Sequence, residues 1–255
     1  MDTTRAVSVI TYNRANRLEE MLEGVTRTVP SKTDIYVVDD GSTDEQSFLM
    51  VDTIRKRFPH VHYYRGPNKG VGANKNRALY LMKNYHFSCL LEDDLVPQKK
   101  MWFETYEAAA SLTDIHHFSR VQDKQVPENC PEFSEYMKQA MNVTPIYGAS
   151  PRGDLTFITR RVITTVGGFN PAFNGVGYAH GEWSNRVAKA GLIAHPLLWV
   201  DLAEVSAKFK QIGDTAGGRW DDDKEIIKKQ IKYNKRISAR LTKQDYVYCP
   251  LRLEG

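Results

Sequence analysis

Cysteine is scarce in this sequence, and long apolar runs are absent. The 255 residues include only Cys89, Cys130 and Cys249, an odd number at wide spacing, which argues against a disulfide framework and against a zinc knuckle. No window approaches 18 uninterrupted apolar residues, so the sequence predicts no membrane-spanning helix. Its first residues lead directly into an apolar strand without the apolar region of a signal peptide. We therefore expect a soluble protein of the cytoplasm.

Two widespread nucleotide-binding signatures are missing as well. The sequence has no GxGxxG motif of the type that binds NAD, and its stretch 68–77, which contains Gly and Lys, lacks the Gly-Lys-Ser/Thr ending of a Walker A loop. The composition is otherwise that of a globular protein, with 41% hydrophobic and 26% charged residues. Collagen-like, low-complexity and disordered classes are thereby excluded.

Charge is distributed unevenly along the chain. The formal net charge is +4, and residues 221–243 alone contain eight Lys or Arg and four Asp or Glu. The rest of the chain has equal numbers of basic and acidic residues, so we expect no nucleic-acid partner. Ile227, Ile231, Ile237 and Leu241 recur at helical spacing in the basic segment, which predicts an amphipathic helix. This helix either contacts an anionic membrane or partner, or folds back on the protein with its lysines in water.

Strands and helices alternate over the first hundred residues. The β-branched and apolar runs 6–12, 34–39, 61–64 and 87–91 predict strands, and helical patterns lie between them, the last over 72–84. Asn13 or Asn16 is expected to cap the first helix. The short links favour an α/β fold with a parallel, doubly wound sheet, whose ligand site lies beyond the carboxyl ends of the strands.

The second half of the chain is less regular. Residues 123–150 contain three Pro and predict a long loop or lid with a short helix over 132–141. The runs 155–159 and 192–200 predict strands, and 181–190 predicts a helix. A glycine-rich loop is expected over 167–177 and a flexible connector over 213–218.

Polar clusters follow the first, second and fourth predicted strands. Because the carboxyl ends of parallel strands meet at one edge of a sheet, we expect these side chains to share a crevice. The clusters are Thr11-Tyr12-Asn13-Arg14, Asp39-Asp40-Gly41-Ser42 and Glu92-Asp93-Asp94. Taken alone, the stretch from Asp40 to Asp44 is typical of a turn with a helix cap.

The three adjacent acids after a buried run repel one another unless a cation is bound. Mg²⁺ or Mn²⁺ is typically held by one or two carboxylates and completes its shell with phosphate oxygens. Lys69, Lys75 and Arg77, together with Gly70 and the backbone N–H groups of the following helix start, can face the same phosphates. The sequence therefore predicts a metal and phosphate site, the alternative for 68–77 being a plain basic helix N-terminus.

Four motifs taken together resemble the family 2 glycosyltransferases of GT-A fold. They are Val-Ser-Val-Ile-Thr-Tyr-Asn-Arg (7–14), Val-Val-Asp-Asp-Gly-Ser-Thr-Asp (37–44), Asn-Lys-Gly-Val-Gly (68–72) and Leu-Glu-Asp-Asp-Leu-Val-Pro (91–97). The resemblance covers 6–100 in order and spacing and extends more weakly to Gly191. It implies a metal-dependent, inverting displacement that moves a sugar from a nucleotide-sugar donor, of the UDP type, to a hydroxyl of a glycan or other acceptor.

The resemblance also implies a division of the chain. Residues 1–212 would form the GT-A domain, with a nucleotide-sugar-binding half over 1–100 and an acceptor and catalytic half over 101–212. The GT-A sheet is a mostly parallel, Rossmann-like one. Residues 213–255 would be a linker followed by the basic amphipathic helix.

Roles in donor binding follow for residues of the first half. Thr11 and Tyr12 would line the base pocket, and Asp40 would accept a hydrogen bond from a uracil ring. Asp93 would contact the ribose or the metal, and Asp94 would bind the Mn²⁺ or Mg²⁺ ion. The other donor-binding residues implied by the resemblance are Asn13, Arg14, Asn68, Lys69, Gly70, Lys75 and Glu92.

The catalytic base is expected in the second half. Family members carry an acidic pair before a helix, where this chain has Ala179 and His180. Glu182 is the first candidate because a carboxylate near a helix N-terminus stays ionised, and His180 is the alternative, as a base or as a metal ligand. Trp183 is a candidate for stacking on the acceptor, and Asp154 for orienting the donor sugar. Structural roles, a helix cap for Glu182 and a core aromatic for Trp183, are the alternatives.

Two other functions stay open on this sequence. A sugar-phosphate nucleotidyltransferase shares the architecture but needs a Gly-rich basic loop after the first strand, where this chain has Thr11 to Arg14. A non-catalytic nucleotide- or glycan-binding module is compatible with the replacement of the acidic pair by Ala179 and His180.

Overall fold

The computed structural model describes residues 4–122, 131–148, 150–173, 175, 177–193, 199–212, 224–244 and 246–251. Its strands are β1 (Arg5–Thr11), β2 (Thr33–Asp39), β3 (Val61–Arg65), β4 (Phe87–Glu92), β5 (Leu95–Pro97), β6 (His117–Gln122), β7 (Pro145–Gly148), β8 (Ser150–Thr159), β9 (Trp199–Leu202) and β10 (Phe209–Gln211). Its helices are α1 (Ala15–Thr28), α2 (Glu45–Arg57), α3 (Val71–Met82), α4 (Trp102–Leu112), α5 (Pro131–Met141), α6 (Arg160–Val166), α7 (Ala179–Lys189), α8 (Ala203–Ser206) and α9 (Lys224–Thr242).

A six-stranded sheet lies at the centre, in the order β3-β2-β1-β4-β8-β6. Strands β1 to β4 run parallel, as predicted, and only β8 is antiparallel to its two neighbours. Two short antiparallel pairs, β5 with β10 and β7 with β9, flank this sheet. The mostly parallel α/β architecture expected from the sequence is confirmed.

Helices cover both faces of the sheet, which explains why its strands are apolar on both sides. Val7 and Val9 of β1 belong to one core, with apolar residues of α1, α2 and α4. Ala6 and Ile10 of the same strand belong to the other, with α3, α6 and α7. The alternation along β1 thus places successive residues in opposite layers.

The start of α1 differs from the prediction. The helix begins at Ala15 after Arg14, so neither Asn13 nor Asn16 caps it. Asn13 instead adopts a left-handed backbone conformation (φ 50°), and its Oδ1 accepts a hydrogen bond from the Thr43 amide at 2.8 Å. This contact ties together the loops that follow β1 and β2. The stretch from Asp40 to Asp44 does contain a helix cap, as its pattern predicts: the Asp44 carboxylate accepts from the Ser47 amide at the start of α2.

In the second half, the short helix of the predicted lid is confirmed as α5, and the strand over 155–159 as part of β8. Residues 145–148 are a strand rather than a loop, since β7 pairs with β9. The remaining lid residues 123–130, the connector 213–218 and residues 194–198 of the predicted strand lie outside the described residues.

The basic amphipathic helix folds back on the protein. Helix α9 contacts α7, and the buried Asn234 donates to the Gly177 carbonyl at 3.1 Å. The following segment returns to the end of α6, where the Cys249 amide donates to Val166 and its carbonyl accepts from Gly168. The division of the chain at residue 212 stays a prediction. Helix α9 and the segment that follows it both contact the rest of the fold. No helix in the described part of the chain is long and apolar enough to cross a membrane.

Candidate active site

A cavity of about 840 Å³ lies beyond the carboxyl ends of β1, β2 and β4. These strands are neighbours, with Thr11 beside Asp39 and Ile10 beside Glu92. Most residues predicted from the sequence line it: Thr11, Tyr12, Arg14, Asp40, Asn68, Lys69, Gly70, Lys75, Glu92, Asp93, Asp94 and His180. Asn13, Asp154, Glu182 and Trp183 are not among its lining residues.

Asp93 is the buried member of the acidic run after β4. Its two carboxylate oxygens accept hydrogen bonds from the Thr11 hydroxyl at 2.6 Å and from Arg14 Nη1 at 2.9 Å. Burial raises the pKa of Asp93 to about 6, against the opposing effects of Arg14 and Thr11. Asp93 thus links the loop after β1 to the end of β4.

Asp94 differs from Asp93 in having a buried carboxylate oxygen that is not engaged by a described protein group. Within the described residues, its buried Oδ1 has no hydrogen-bond partner, and Arg14 lies 3.9 Å from its Oδ2. Burial raises the pKa of Asp94, and the neighbouring Glu92 carboxylate adds to this effect. A cation bound beside Asp94 would offset the negative charge of the two carboxylates and would lower the pKa of Asp94.

The donor set fits a metal held by a single carboxylate. In the part of the chain that the structure describes, no three His, Cys, Asp or Glu side chains form a group that would hold a metal ion by themselves. The unpartnered oxygen of Asp94 suits Mn²⁺ or Mg²⁺, which takes its remaining ligands from substrate phosphates and water. Both oxygens of Asp93 are engaged by protein groups, so its contacts do not support the predicted second ligand.

Lys75 is buried at the edge of this acidic group. Its Nζ lies 2.9 Å from Glu92 Oε1 and 2.9 Å from the Gly153 carbonyl oxygen. Burial opposes ionisation of Glu92, but Lys75 and, more weakly, Arg14 outweigh it and lower the Glu92 pKa. The ammonium group is therefore fixed at the cavity wall, close to the acids that follow β4.

Asp40 has a structural task besides lining the cavity. Its carboxylate accepts from the amides of Lys69 and Gly70 at 3.0 and 2.8 Å and from Arg77 Nη1 at 2.8 Å. Arg77 is fully buried and also donates to the Pro67 carbonyl, so the expectation that it faces substrate phosphates is wrong. The predicted hydrogen bond from Asp40 to a uracil ring has to compete with these three donors.

Glu182 does not reach the cavity. It is buried, and both carboxylate oxygens are bound by Arg186, one turn later on α7, while the Tyr246 hydroxyl donates to Oε1. The first choice for the base is therefore corrected, because the carboxylate lies in an internal ion pair. The i,i+4 spacing of Glu182 and Arg186 is a sequence signal for such a pair, which the sequence analysis did not take into account.

Trp183 is a core residue, and its predicted stacking on an acceptor is wrong. The side chain is fully buried, its Nε1 donates to the Gly167 carbonyl at 3.0 Å, and its ring stacks on Phe169 at 5.0 Å between centroids. Asp154 is likewise held inside, with Oδ2 at 2.8 Å from Arg120 and 2.9 Å from Arg152. Its neighbour Gly153 lines the cavity instead.

Of the two candidate bases on α7, His180 lines the cavity and Glu182 does not. Within the described residues its Nδ1 is buried without a hydrogen-bond partner. Burial, and then the charges of Lys75 and His117, lower the pKa of His180 well below its usual value. The lowered pKa favours the neutral imidazole, which can accept a proton but is a weaker base than an ordinary histidine.

The sequence analysis missed one wall of the cavity, which α9 provides. Ile226, Ile227 and Gln230 line it, and the Gln230 amide packs against Gly175, whose positive φ of 65° and lack of a side chain make room for it. The amphipathic pattern of α9 contained the signal for burial, but it did not indicate which surface the helix would cover.

Comparison with known proteins places this site in a family. The model for "Glycosyl transferase family 2" matches residues 6–170, more than half of the chain. An uncharacterized glycosyltransferase of Rickettsia felis is 31% identical over 100 residues, and one of Rickettsia conorii is 30% identical over 100 residues. Each match covers 39% of this chain and 16% of the relative, so the chain spans a small part of the length of these proteins.

Solved structures share the fold at low sequence identity. A structure of GalNAc-T7 with UDP, GalNAc and Mn²⁺ superposes with a TM-score of 0.61 at 16% identity, covering 78% of this chain and 43% of that one. The mannosyltransferase PcManGT from Pyrobaculum calidifontis, with GDP-Man and Mn²⁺, gives 0.53 at 19% identity, covering 75% and 54%. The architecture is that of the GT-A glycosyltransferases. With the strand-end motifs inside the matched residues, this chain belongs to glycosyl transferase family 2.

Proposed function

We propose that this protein is a metal-dependent, inverting glycosyltransferase that moves a sugar from a nucleotide-sugar donor of the UDP type to a hydroxyl of a glycan or other acceptor. One observation carries the proposal. The cavity brings the unpartnered oxygen of Asp94 together with the N-terminus of α3 and the buried ammonium of Lys75. Such a group suits a diphosphate with its metal ion.

The similar structures support the same donor class. One contains UDP and the other GDP-Man, and both contain Mn²⁺. Asp94 would hold Mn²⁺ or Mg²⁺ in this protein, and the bound ion would offset the negative charge that develops on the leaving nucleoside diphosphate. Asp93 keeps Arg14 and Thr11 in place beside it.

Backbone and basic groups would bind the phosphates. Asp40 accepts two amide hydrogen bonds that orient the loop at Lys69 and Gly70. This loop leads into α3, whose first N–H groups have no acceptor within the helix and can donate to a bound anion. Lys75 contributes a fixed positive charge near the acids. Because these groups are held before the donor arrives, they stabilise the leaving group without a large reorganisation.

His180 is the proposed base by elimination among the carboxylate and imidazole groups that line the cavity. Asp40, Glu92 and Asp93 are engaged by protein donors, and Asp94 is assigned to the metal. The neutral His180 would take the acceptor hydroxyl proton while that oxygen attacks the anomeric carbon. The bond from this carbon to the diphosphate breaks on the opposite face, so the anomeric configuration inverts and the departing phosphate takes the electron pair.

The test is nucleoside diphosphate release with Mn²⁺, a panel of UDP- and GDP-sugars, and hydroxyl acceptors. We expect acceptor-dependent release with UDP-sugars and an inverted anomer in the product by NMR. Asp94→Asn should lose metal-dependent donor binding, whereas the matched control Asp52→Asn, at an exposed site on α2, should retain it. Donor binding without release in any combination would instead establish a non-catalytic binding module.

A further inference from the structure

The outward face of α9 is strongly cationic. Residues 226–244 contain seven Lys or Arg and no Asp or Glu. All seven side chains are exposed, and they form what we call the basic face: Lys228, Lys229, Lys232, Lys235, Arg236, Arg240 and Lys243. The adjacent Glu225 pairs with Lys228 at 3.6 Å. The rest of the chain has no excess of positive charge, so this face is the main positive contribution to the long-range field of the protein.

The opposite side of α9 packs against the rest of the protein. Asn234, Ile237 and Leu241 are buried, and Gln230 and Ile231 pack beside the glycines of the loop over 175–177. The basic face is therefore held outward by the packing of the helix. It is a fixed surface of the folded protein.

One stripe of this face leads to the mouth of the cavity. Ile226, Lys229, Tyr233, Arg236 and Arg240 follow each other at spacings of three and four residues, which places them along one side of the helix. Ile226 lines the cavity, and Tyr233 is 50% exposed between the cations. The stripe thus combines positive charge with an exposed aromatic ring and ends at the substrate opening.

Exposed apolar side chains also occur where the cavity opens. Val71 at the start of α3, Tyr178 before α7 and Ile226 on α9 all line the cavity, yet they are 36%, 39% and 50% exposed. We call these three residues the apolar rim. They come from three different elements, and large side chains left in water around an opening are typical of an interaction surface.

We propose that the basic face and the apolar rim dock this protein on the surface of an anionic lipid bilayer, with the cavity mouth directed at the headgroups. Each Lys or Arg near such a surface contributes about 1 kcal/mol of attraction. A bilayer also offers a boundary where Tyr233 and the rim can leave water. A polyanionic chain in solution would match the charge but not the apolar rim, so the two features together favour the bilayer.

The test uses the full chain and needs no catalysis, so its result is independent of the proposed function. Flotation is measured with vesicles of phosphatidylcholine alone and of phosphatidylcholine with phosphatidylserine. We expect binding only to the anionic vesicles, weakening with added salt. The triple variant Lys229→Glu, Arg236→Glu and Arg240→Glu should bind about 100-fold more weakly, since at least three favourable charges are lost.

A matched control separates this face from net charge alone. The variant Lys56→Glu, Lys99→Glu and Lys100→Glu reverses three exposed charges elsewhere on the fold and should bind anionic vesicles within about threefold of the parent protein, because those charges lie outside the proposed contact surface. Tyr178→Ser with Ile226→Ser should weaken binding several-fold at unchanged charge. The proposal is overturned if anionic vesicles do not bind, if both triple variants lose binding equally, or if dextran sulfate binds while vesicles do not, which would indicate a polyanionic chain as the partner.

Discussion

Asp40 and Arg77 form a buried ion pair of 2.8 Å between the loop after β2 and the interior of α3. The same carboxylate accepts the amides of Lys69 and Gly70, so the pair fixes the segment that enters the N-terminus of α3. The loop at Lys69 and Gly70, which lines the cavity, is therefore held by an ion pair whose cation, Arg77, is not among the lining residues.

Replacing Arg77 should destabilise the fold. Arg77→Ala leaves the Asp40 carboxylate buried without its cation, which typically costs about 3–5 kcal/mol. The free energy of unfolding in urea should fall by about this amount. Arg55→Ala, at an exposed pair with Asp52, is the control and should change it by less than about 1 kcal/mol. A loss below about 1 kcal/mol for Arg77→Ala would contradict the structural role given to this pair.

Substitutions of His180 and Glu182 should have different effects, the first on catalysis and the second on stability. His180→Gln removes the proposed base and should lower kcat about 100-fold or more while nucleotide binding is retained. Glu182→Gln should keep kcat within a few-fold, because this side chain lies outside the cavity, but should lower Tm since the Arg186 pair is weakened. Kinetics and thermal unfolding on both variants check this, and the reverse pattern would restore Glu182 as the base.

Asp93 should make stability depend on pH. Its pKa is raised by burial from 3.8 to about 6, so between these values the folded protein binds more protons than the unfolded chain. Stability from this group is therefore greatest below pH 3.8 and falls as the pH rises from about 3.8 to about 6, by about 3 kcal/mol in total. Asp93→Asn should flatten the Tm profile between about pH 4 and 7 and raise Tm at pH 8. A profile that keeps the slope of the parent would assign the effect to another group.

The α9 wall should contribute to substrate affinity. Gln230→Ala removes an amide that lines the cavity and packs on Gly175, and it should raise KM for the nucleotide sugar several-fold with a smaller change in kcat. Lys232→Ala, exposed on the same helix, is the control and should leave both constants unchanged. Equal effects of the two substitutions would indicate that the helix as a whole has been weakened.

The first half of the fold follows closely from the sequence. Apolar, β-branched and aromatic runs specify β1 to β4, and the polar residues after β1, β2 and β4 converge because parallel strands end at one edge. Local rules suffice there, since each element is identified by its own pattern. Asp44 as a helix cap is a similar case, with its partner three residues away.

The predicted residue roles that were wrong depend on contacts between residues far apart in the chain. Glu182 is occupied by Tyr246 as well as Arg186, and Trp183 meets Phe169 only after the glycine-rich loop has turned back. Side chains in the first turn of a helix point in different directions, and the sequence of α7 does not indicate which of them reach the cavity. The finding that Glu182 lies outside the cavity required the packed structure.

The wall formed by α9 has a consequence for the order in which the cavity is completed. Residues 6–170 match the family model and contain Asp94 and Lys75, but Ile226, Ile227 and Gln230 complete the cavity wall from a helix that follows much later. During synthesis the strand-end residues emerge first and the closing helix afterwards. A nascent chain that has folded its sheet therefore still has an open cavity until α9 docks.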